Sequence, residues 1–595
     1  MTAVPSREAG KARGDGEARD DGEARDDGKA RDDGEGAAYR PDLSLTGGRD
    51  VHVVRFPTDP LPATVDVLVV GAGPVGLSAA IELRGRGVDV AVVDRGRQAT
   101  LARAGAMGHT PRVVEHFRRW GLLQRIRDEW TFPPEWNRGI RLVTSLTGHD
   151  LGPGPARAHT AGARPGVEEA LRRPQSALQK VFLERLAELR VPVAGGWELA
   201  SLAETVDGIE AVATDGRTVR ARYLIGADGN RSTVRTLAGI DRDGERAADK
   251  RFRLIVRTGD PHATIGPAPS GVNIVFNERS SGFLAAVSHR EWRVYAGPFP
   301  LDHEPSESEL LETARASFGL DLDLELVSAT AYYDSTRIAR VFRRGRVLLA
   351  GDAAHVRTPG GNLGEGFGDV VNLGWKLAAV LGGQAPDSLL DSYDEERRPH
   401  NRRVADHALE RSRRGRLTLA ELRAGGIPAD DDDSEAAARR RDQIRTRLAA
   451  ETVVAPGVTF DERYDRSRAI WYSGEPAPDW APDVYTDDPR PGHRAPNGLV
   501  DTYGGTLYDR IGSGFALISL GTDRSLESSF EEAARRRGVP LAVVYLGEVP
   551  AGEAYRDAAY FLVRPDQHVA WRGDALPDGG ADGVLDLVLG AGRSG

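Results

Sequence analysis

Apolar positions along the chain follow two periodicities, and each predicts a different part of the molecule. The run VDVLVVGAG from Val65 is short, β-branched and ends in glycines, as a strand covered on both faces does. PVGLSAAIELRGRG follows at helical spacing and VDVAVVDRG is a second buried strand, so residues 65–96 predict a βαβ unit. YLIGADG (223–229) and RVLLAGDAA (346–354) predict two more short strands whose ends carry glycine and aspartate. PQSALQKVFLERLAELR (174–190) predicts an amphipathic helix and VVNLGWKLAAVLGG (370–383) a strongly apolar one. Between about 245 and 340 the pattern changes to alternation in FRLIVRTG, GVNIVFNE, FLAAVSH and WRVYAGPF, which predicts an antiparallel sheet inserted into an α/β domain.

The two ends of the chain read differently. Residues 11–34 repeat a six-residue unit (KARGDG, EARDDG, EARDDG, KARDDG) without a large apolar residue, so stacked copies bury nothing and residues 1–60 are expected to be a disordered tail. Residues 425–445 hold Gly-Gly, the acidic run Asp430–Asp433 and an Arg-rich stretch, read as a linker or exposed helix. FALISLG, LAVVYLG and YFLVRPD predict a separate small C-terminal unit. The expected division is a tail at 1–60, a Rossmann-like dinucleotide domain at 61–240 and 340–415, an inserted antiparallel substrate domain at 241–339, a helical linker at 416–480 and an α/β unit at 481–595.

Composition narrows the function. The chain has no cysteine, which removes disulfides, thiolate metal sites and thiol redox chemistry, and no metal site is expected. A net charge of −10 without a Lys/Arg-rich block argues against nucleic acid as a partner. No run approaches the length of a membrane span and no apolar signal core follows the charged start, so a globular cytoplasmic protein with no membrane partner is expected.

Gly71-Ala72-Gly73-Pro74-Val75-Gly76 lies between the first strand and its helix. In that place Gly71 permits the tight turn, Gly73 lets a pyrophosphate approach the backbone, and Gly76 lets helix and strand pack closely. The phosphates then meet free N–H groups at the positive end of a helix dipole. Asp94 closes the second strand 23 residues after Gly71, where a carboxylate accepts hydrogen bonds from adenosine ribose hydroxyls and disfavours a 2′-phosphate. The bound dinucleotide is therefore FAD or NAD. An NAD site needs one such acid, whereas three glycine-acid strand ends suit a longer ligand. Each Gly-Asp pair alone also reads as a simple turn.

As an ordered set these motifs resemble the single-component FAD-dependent aromatic hydroxylases, which include p-hydroxybenzoate hydroxylase, phenol hydroxylase and the aromatic polyketide hydroxylases. The resemblance runs from about 65 to 410 through VLVVGAGPVGLSAAIELRGRGVDVAVVDRG, ARAGAMGHTPRVVEHFRRWG, RRPQSALQKVFLERL, YLIGADGNRSTVR, RVLLAGDAAH, NLGWKLAAVL and LLDSYDEERRPH. It continues through RPGHRAPNGLV, TLYDRIGSGFALISLG and YFLVRPDQHVAWRG, which are similar to that branch's C-terminal thioredoxin-like domain; without cysteine its implied role is packing or homodimer contact. The resemblance implies an FAD site made by Gly71, Gly73, Pro74, Gly76, Asp94, Arg95, Arg103, Gln175, Asp228, Gly351 and Asp352, with Pro359, Gly361, Asn362, Leu363 and Gly364 in the loop beside the flavin ring.

That loop departs from the family pattern. It is shortened by about two residues, the usual Asn before its last Gly is replaced, and Glu365 stands nearby. The resemblance further implies that NADH or NADPH is a transient co-substrate. The reduced flavin would react with O2 to give a flavin hydroperoxide, which hydroxylates an aromatic or polyketide-like small molecule. Baeyer–Villiger oxidation or epoxidation on the same scaffold, and a non-enzymatic protein that binds FAD or an aromatic ligand, stay open at this point. Phe283, Trp292 and Tyr295 on the inserted strands are candidates to line the substrate pocket, although aromatics on a sheet also serve as core. No catalytic base is assigned. His109 and His355 read as structural or cofactor-side histidines, and Gly105 and Ala106 stand near the point where phenol hydroxylases keep an Asp.

Overall fold

The computed structural model describes residues 53–100, 108–129, 136, 139–153, 168–246, 249–259, 271–288, 290–358, 362–451, 455–473, 476–521, 524–547 and 549–592. The repeat-bearing tail up to residue 52 lies outside them, as do Arg103, Gly105, Ala106, Pro359 and Gly361.

The β-branched runs form the centre of an eight-stranded sheet. Thr64–Val70 pairs in parallel with Val90–Asp94 on one side and Thr218–Gly226 on the other. Val193–Gly195 extends the sheet beyond Val90–Asp94, and Val347–Leu349 pairs in parallel with the C-terminal half of Thr218–Gly226. Val67, Leu68, Val69, Leu224, Ile225, Leu348 and Leu349 are all buried, because helices cover both faces of such a sheet. The helix Pro74–Gly85 starts with proline in its first turn, where a missing N–H costs nothing, and packs against the helices Gln175–Glu188 and Asn362–Leu381.

A second, seven-stranded sheet is mostly antiparallel and contains Asp249–Arg257, Val272–Phe276, Ser281–Ala286, Glu291–Pro300 and Glu325–Tyr332. It also takes Ile140–Val143 and Asp150–Pro153 from before residue 241, with Ile140–Val143 parallel to Val272–Phe276. Phe252, Leu254, Val256, Leu284, Trp292 and Val294 form one core with Leu310, Ala314 and Phe318 of the helix Glu307–Phe318. Strand alternation sends the intervening residues to the opposite face.

The C-terminal unit has the order Leu541–Tyr545, Phe515–Ser519, Tyr560–Val563, Val569–Gly573, with the first pair parallel and the others antiparallel. With the helices Arg524–Arg537 and Gly580–Val588 this is a thioredoxin-like arrangement. Trp375, Ala379 and Leu389 of the dinucleotide domain are part of the same buried core as Phe515, Phe530, Trp571 and Leu585, so the two units share apolar interior. Among the described residues no helix is long and apolar enough to cross a membrane.

Candidate active site

Three strand ends meet at one edge of the parallel sheet. Ala227 N donates to Val70 O at 2.8 Å, and Ala350 N donates to Gly226 O at 2.9 Å. Gly71 has φ +117°, and a Cβ there would lie 2.3 Å from Ala227 O. A Cβ on Gly76 would lie 1.9 Å from Gly71 O, so only glycine lets the Pro74–Gly85 helix approach the turn. Gly73 caps this helix, and the position of its missing Cβ has no other atom within 4 Å. An anion can reach the backbone there and meet the helix N-terminus.

The acids expected from sequence stand around this turn. Asp94 is half-buried and accepts Ala72 N–H and Gly96 N–H, each at 2.7 Å, so it ties the second strand to the glycine turn; Arg95 beside it is exposed. Gln175 is half-buried at the start of its helix, while Gln179, one turn on, donates from Nε2 to Ala72 O at 3.1 Å. Asp228 accepts Ser232 Oγ–H at 2.5 Å and Val234 N–H at 3.0 Å, which ties it to the start of the helix Thr233–Leu237 that Ser232 caps. Asp352 is exposed beyond buried Gly351, yet the surrounding protein leaves its carboxylate poorly solvated and raises its pKa.

Asn362 acts on Asp352. Asn362 opens the helix Asn362–Leu381 and donates from Nδ2 to Asp352 Oδ1 and to His355 O. Its Oδ1 lies 3.0 Å from His355 Nδ1, and His355 Nε2 lies 2.6 Å from Asp369 Oδ2. Burial pushes the His355 pKa down, but the Asp369 carboxylate outweighs it and the net shift is upward. Each ring nitrogen of His355 thus faces an oxygen acceptor, an arrangement that favours the doubly protonated ring. Leu363 and Gly364 continue the first turn, with Gly364 close to Val113.

Behind this turn lies a buried ion network. Asp369 accepts Gly351 N–H at 3.0 Å and Arg397 Nε–H at 2.8 Å. Arg397 also bonds Glu462 and the carbonyl and carboxylate of Glu365. Arg112 lies 2.7 Å from Glu462 and 3.4 Å from Glu365, and His400 Nε2 lies 2.9 Å from Glu365. Burial alone would raise the Glu365 carboxyl, but Arg112 and His400 hold it well below the usual range. Glu365 is thus an anchor for Arg112, Arg397 and His400 and does not face solvent.

Comparison with known proteins identifies this arrangement. Residues 64–408 match the FAD binding domain family, and residues 488–592 match the C-terminal domain of aromatic-ring hydroxylases. The chain belongs to the FAD-dependent aromatic-ring hydroxylases. It is 30% identical over 578 residues to tetracenomycin B2 monooxygenase-dioxygenase of Streptomyces olivaceus, covering 88% of this chain and 98% of that protein. The rebeccamycin biosynthetic enzyme RebC, solved with reduced flavin, superposes with a TM-score of 0.77 at 30% identity over 89% of this chain and all of that one. Aklavinone-11 hydroxylase, solved with FAD and aklavinone, gives 0.71 at 28% identity over 88% and 99%.

In this hydroxylase the aromatic candidates separate. Phe283 and Tyr295 are half-buried, with ring centroids 5.7 Å apart, on the sheet face away from the Glu307–Phe318 helix. Trp292 is a correction to the sequence reading. It is three residues from Tyr295, so alternation turns it into the helix-side core, where it stacks on Trp136 at 5.9 Å and meets Phe318 edge-on. His109 is structural: Nε2 lies 3.1 Å from Arg173 O, and burial lowers its pKa to about 4. The residues missed from sequence are Gln179, Asp369, Arg397 and Glu462. For Arg397 a signal existed in the motif LLDSYDEERRPH, but not its partner.

Proposed function

We propose that this hydroxylase binds FAD, takes electrons from NADH or NADPH, and inserts one oxygen atom of O2 into an aromatic or polyketide-like molecule. The observation that carries this reading is the meeting of three glycine-acid strand ends at one sheet edge, with room at Gly73 and an exposed carboxylate at Asp352. The residues fit the cofactor. Gly71, Gly73, Pro74 and Gly76 would hold the pyrophosphate, Asp94 the adenosine ribose, and Asp352 the ribityl hydroxyls. Gln175, Arg103, Arg95 and Asp228 would complete the site, and the loop from Pro359 through Gly361, Asn362, Leu363 and Gly364 would border the ring.

When bound, FAD supplies hydride acceptance and oxygen activation. The chain's own residues bind, orient and shield. Asn362 fixes the rotamer of Asp352 and is itself held by His355, Asp369 fixes Gly351, and Arg397 fixes Asp369. The half-buried face carrying Phe283 and Tyr295 would form the substrate side and exclude water.

The test is a visible spectrum of the purified protein, followed by anaerobic addition of NADH or NADPH with and without aromatic ligands. The expected result is a yellow protein whose flavin is reduced faster when a ligand is present. A colourless protein that takes up no added FAD overturns the reading. Product NMR separates hydroxylation from Baeyer–Villiger oxidation and epoxidation.

A further inference from the structure

The hydrogen bonds that hold Asp352 do not stop inside the dinucleotide domain. Asn362 bonds Asp352 and lies 3.0 Å from His355 Nδ1, His355 Nε2 lies 2.6 Å from Asp369 Oδ2, and Asp369 Oδ1 accepts Arg397 Nε–H at 2.8 Å. Arg397 carries the connection to Glu462, whose Oε1 also accepts the Tyr464 hydroxyl at 3.4 Å. From there the bonds lead to the C-terminal unit. Asn372 Nδ2 lies 3.3 Å from the Tyr464 hydroxyl oxygen and 3.1 Å from Oδ2 of Asp566, in the turn between the strands Tyr560–Val563 and Val569–Gly573. From His355 to Asp566 every side chain in this series is buried.

Tyr464 is the junction. Its ring stacks on His568 of the C-terminal unit, with centroids 4.2 Å apart, and the Arg564 guanidinium stands 5.7 Å from its centre. Its hydroxyl is turned instead to Glu462. Burial and the Glu462 carboxylate push its pKa well above the usual value, so the hydroxyl keeps the proton that it donates.

The amide of Asn372 supplies the alternative arrangements that coupling requires. Its nitrogen carries two hydrogens and meets three acceptors: Glu396 Oε2 at 2.6 Å, Asp566 Oδ2 at 3.1 Å and the Tyr464 oxygen at 3.3 Å. Glu396, the nearest, takes one hydrogen, and Asp566 and Tyr464 compete for the other. A hydrogen given to Tyr464 polarises its hydroxyl, which then donates more strongly to Glu462. A hydrogen given to Asp566 leaves Tyr464 and Glu462 less firmly held. These groups are dry, so a change at one pair reaches the next with little screening.

We propose that Tyr464 is a positioning residue for the flavin site: its hydroxyl joins the C-terminal unit to the Asp352 strand end, so that FAD binding and the docking of that unit strengthen each other. This rests on the FAD-binding reading above and gives the cysteine-free C-terminal unit a part in it. A ligand held by Asp352 orders Asn362, His355, Asp369 and Arg397, so the C-terminal unit docks on a surface that is already ordered. By linkage the docked unit tightens FAD by the same factor.

The experiment is hydrogen–deuterium exchange, read by mass spectrometry on the full-length protein with and without FAD, together with a fluorescence titration of FAD. FAD is expected to slow exchange around Gly71–Gly76 and also, by about fivefold or more, in the strands Tyr560–Val563 and Val569–Gly573. Tyr464→Phe removes one oxygen and keeps the ring against His568. It is expected to retain the protection around Gly71–Gly76 and to lose that of the two distant strands, a split that a general loosening of the fold would not produce. Reciprocally, Asp566→Asn is expected to weaken FAD binding about fivefold or more in the wild-type background and less than about twofold in the Tyr464→Phe background. FAD uptake without protection of the distant strands, or the same protection in Tyr464→Phe, overturns the proposal and leaves the oxygenase reading standing. Equal weakening by Asp566→Asn in both backgrounds overturns it too. Failure of the wild-type protein to take up FAD overturns both readings. If Asp566→Asn does not fold, the exchange comparison of wild type with Tyr464→Phe decides alone.

Discussion

Replacing Arg397 by methionine tests whether the buried network supports the flavin site. Arg397 is fully buried and is held by Asp369, Glu462 and Glu365. Methionine keeps much of the volume, so the change removes charge and hydrogen bonds more than packing. Asp369 is then left with His355 as its cation, and Glu462 with Arg112. Breaking a buried ion pair from one side costs about 3–5 kcal/mol, because the stranded carboxylate stays out of water. By the tenfold-per-1.4 kcal/mol rule this multiplies the opened population by about two to four orders of magnitude. The disturbance reaches the cofactor, since the Asp369 carboxylate that Arg397 fixes also accepts Gly351 N–H, next to Asp352. Arg397→Met is therefore expected to lower the denaturant midpoint followed by near-UV circular dichroism and to weaken FAD binding in a fluorescence titration. Arg397→Lys, which keeps the charge but loses the fork, falls between. A methionine variant within about 1 kcal/mol of wild type, with unchanged FAD affinity, would refute the reasoning, because the cost of a stranded buried carboxylate exceeds that value.

Three other outcomes follow from the same geometry. Gly76→Ala places a Cβ 1.9 Å from Gly71 O and is expected to cost about 1–3 kcal/mol of overpacking and abolish FAD retention, read from the protein-to-flavin absorbance ratio. The His355 pKa is raised, so its contribution to stability is complete below the unfolded-state value and is lost as pH rises through the folded value. Asp369 is lowered, since His355 and Arg397 outweigh its burial, so its contribution is lost as pH falls through its folded value. The melting temperature should be highest between these limits, and His355→Gln should remove the alkaline limb. Arg564→Met strips the pair of bonds to Glu396 at 2.6 and 2.8 Å and is expected to destabilise the contact with the C-terminal unit by about 3–5 kcal/mol, measured by denaturant unfolding.

What could be read from the sequence was whatever is encoded locally. The strands at Val65, Val90, Tyr223 and Val347 were legible because β-branched runs ending in glycine have few other uses. The error at Trp292 was avoidable: in WRVYAGPF the Trp and Tyr are three apart, and on a strand an odd spacing means opposite faces. Residues 425–445 read as a linker or exposed helix, and a helix does run over Glu435–Glu451, but Asp430 ahead of it accepts Thr144 Oγ1–H at 2.5 Å and Ser145 Oγ–H at 2.8 Å, anchoring the acidic run beside the second sheet. No local signal predicts a partner almost 290 residues away. Ile140–Val143 was missed for the same reason, since it is short and pairs with a distant strand. Arg397 and Glu462 share no spacing rule, and only the packed fold joins them.

The seam between the dinucleotide domain and the C-terminal unit has a consequence for ancestry and engineering. Lys376, Asn372 and Glu396 on one side meet Arg564 and Asp566 on the other, all dry. Such a seam works as a matched lock: each charge is tolerable only opposite its own counterpart. A C-terminal unit borrowed from a relative would bring an unmatched key unless Asn372, Lys376 and Glu396 travelled with it. The two units are therefore expected to have drifted together as one heritable piece, and a chimera built by cutting at the linker should recover its fold only when both sides of the lock are transplanted.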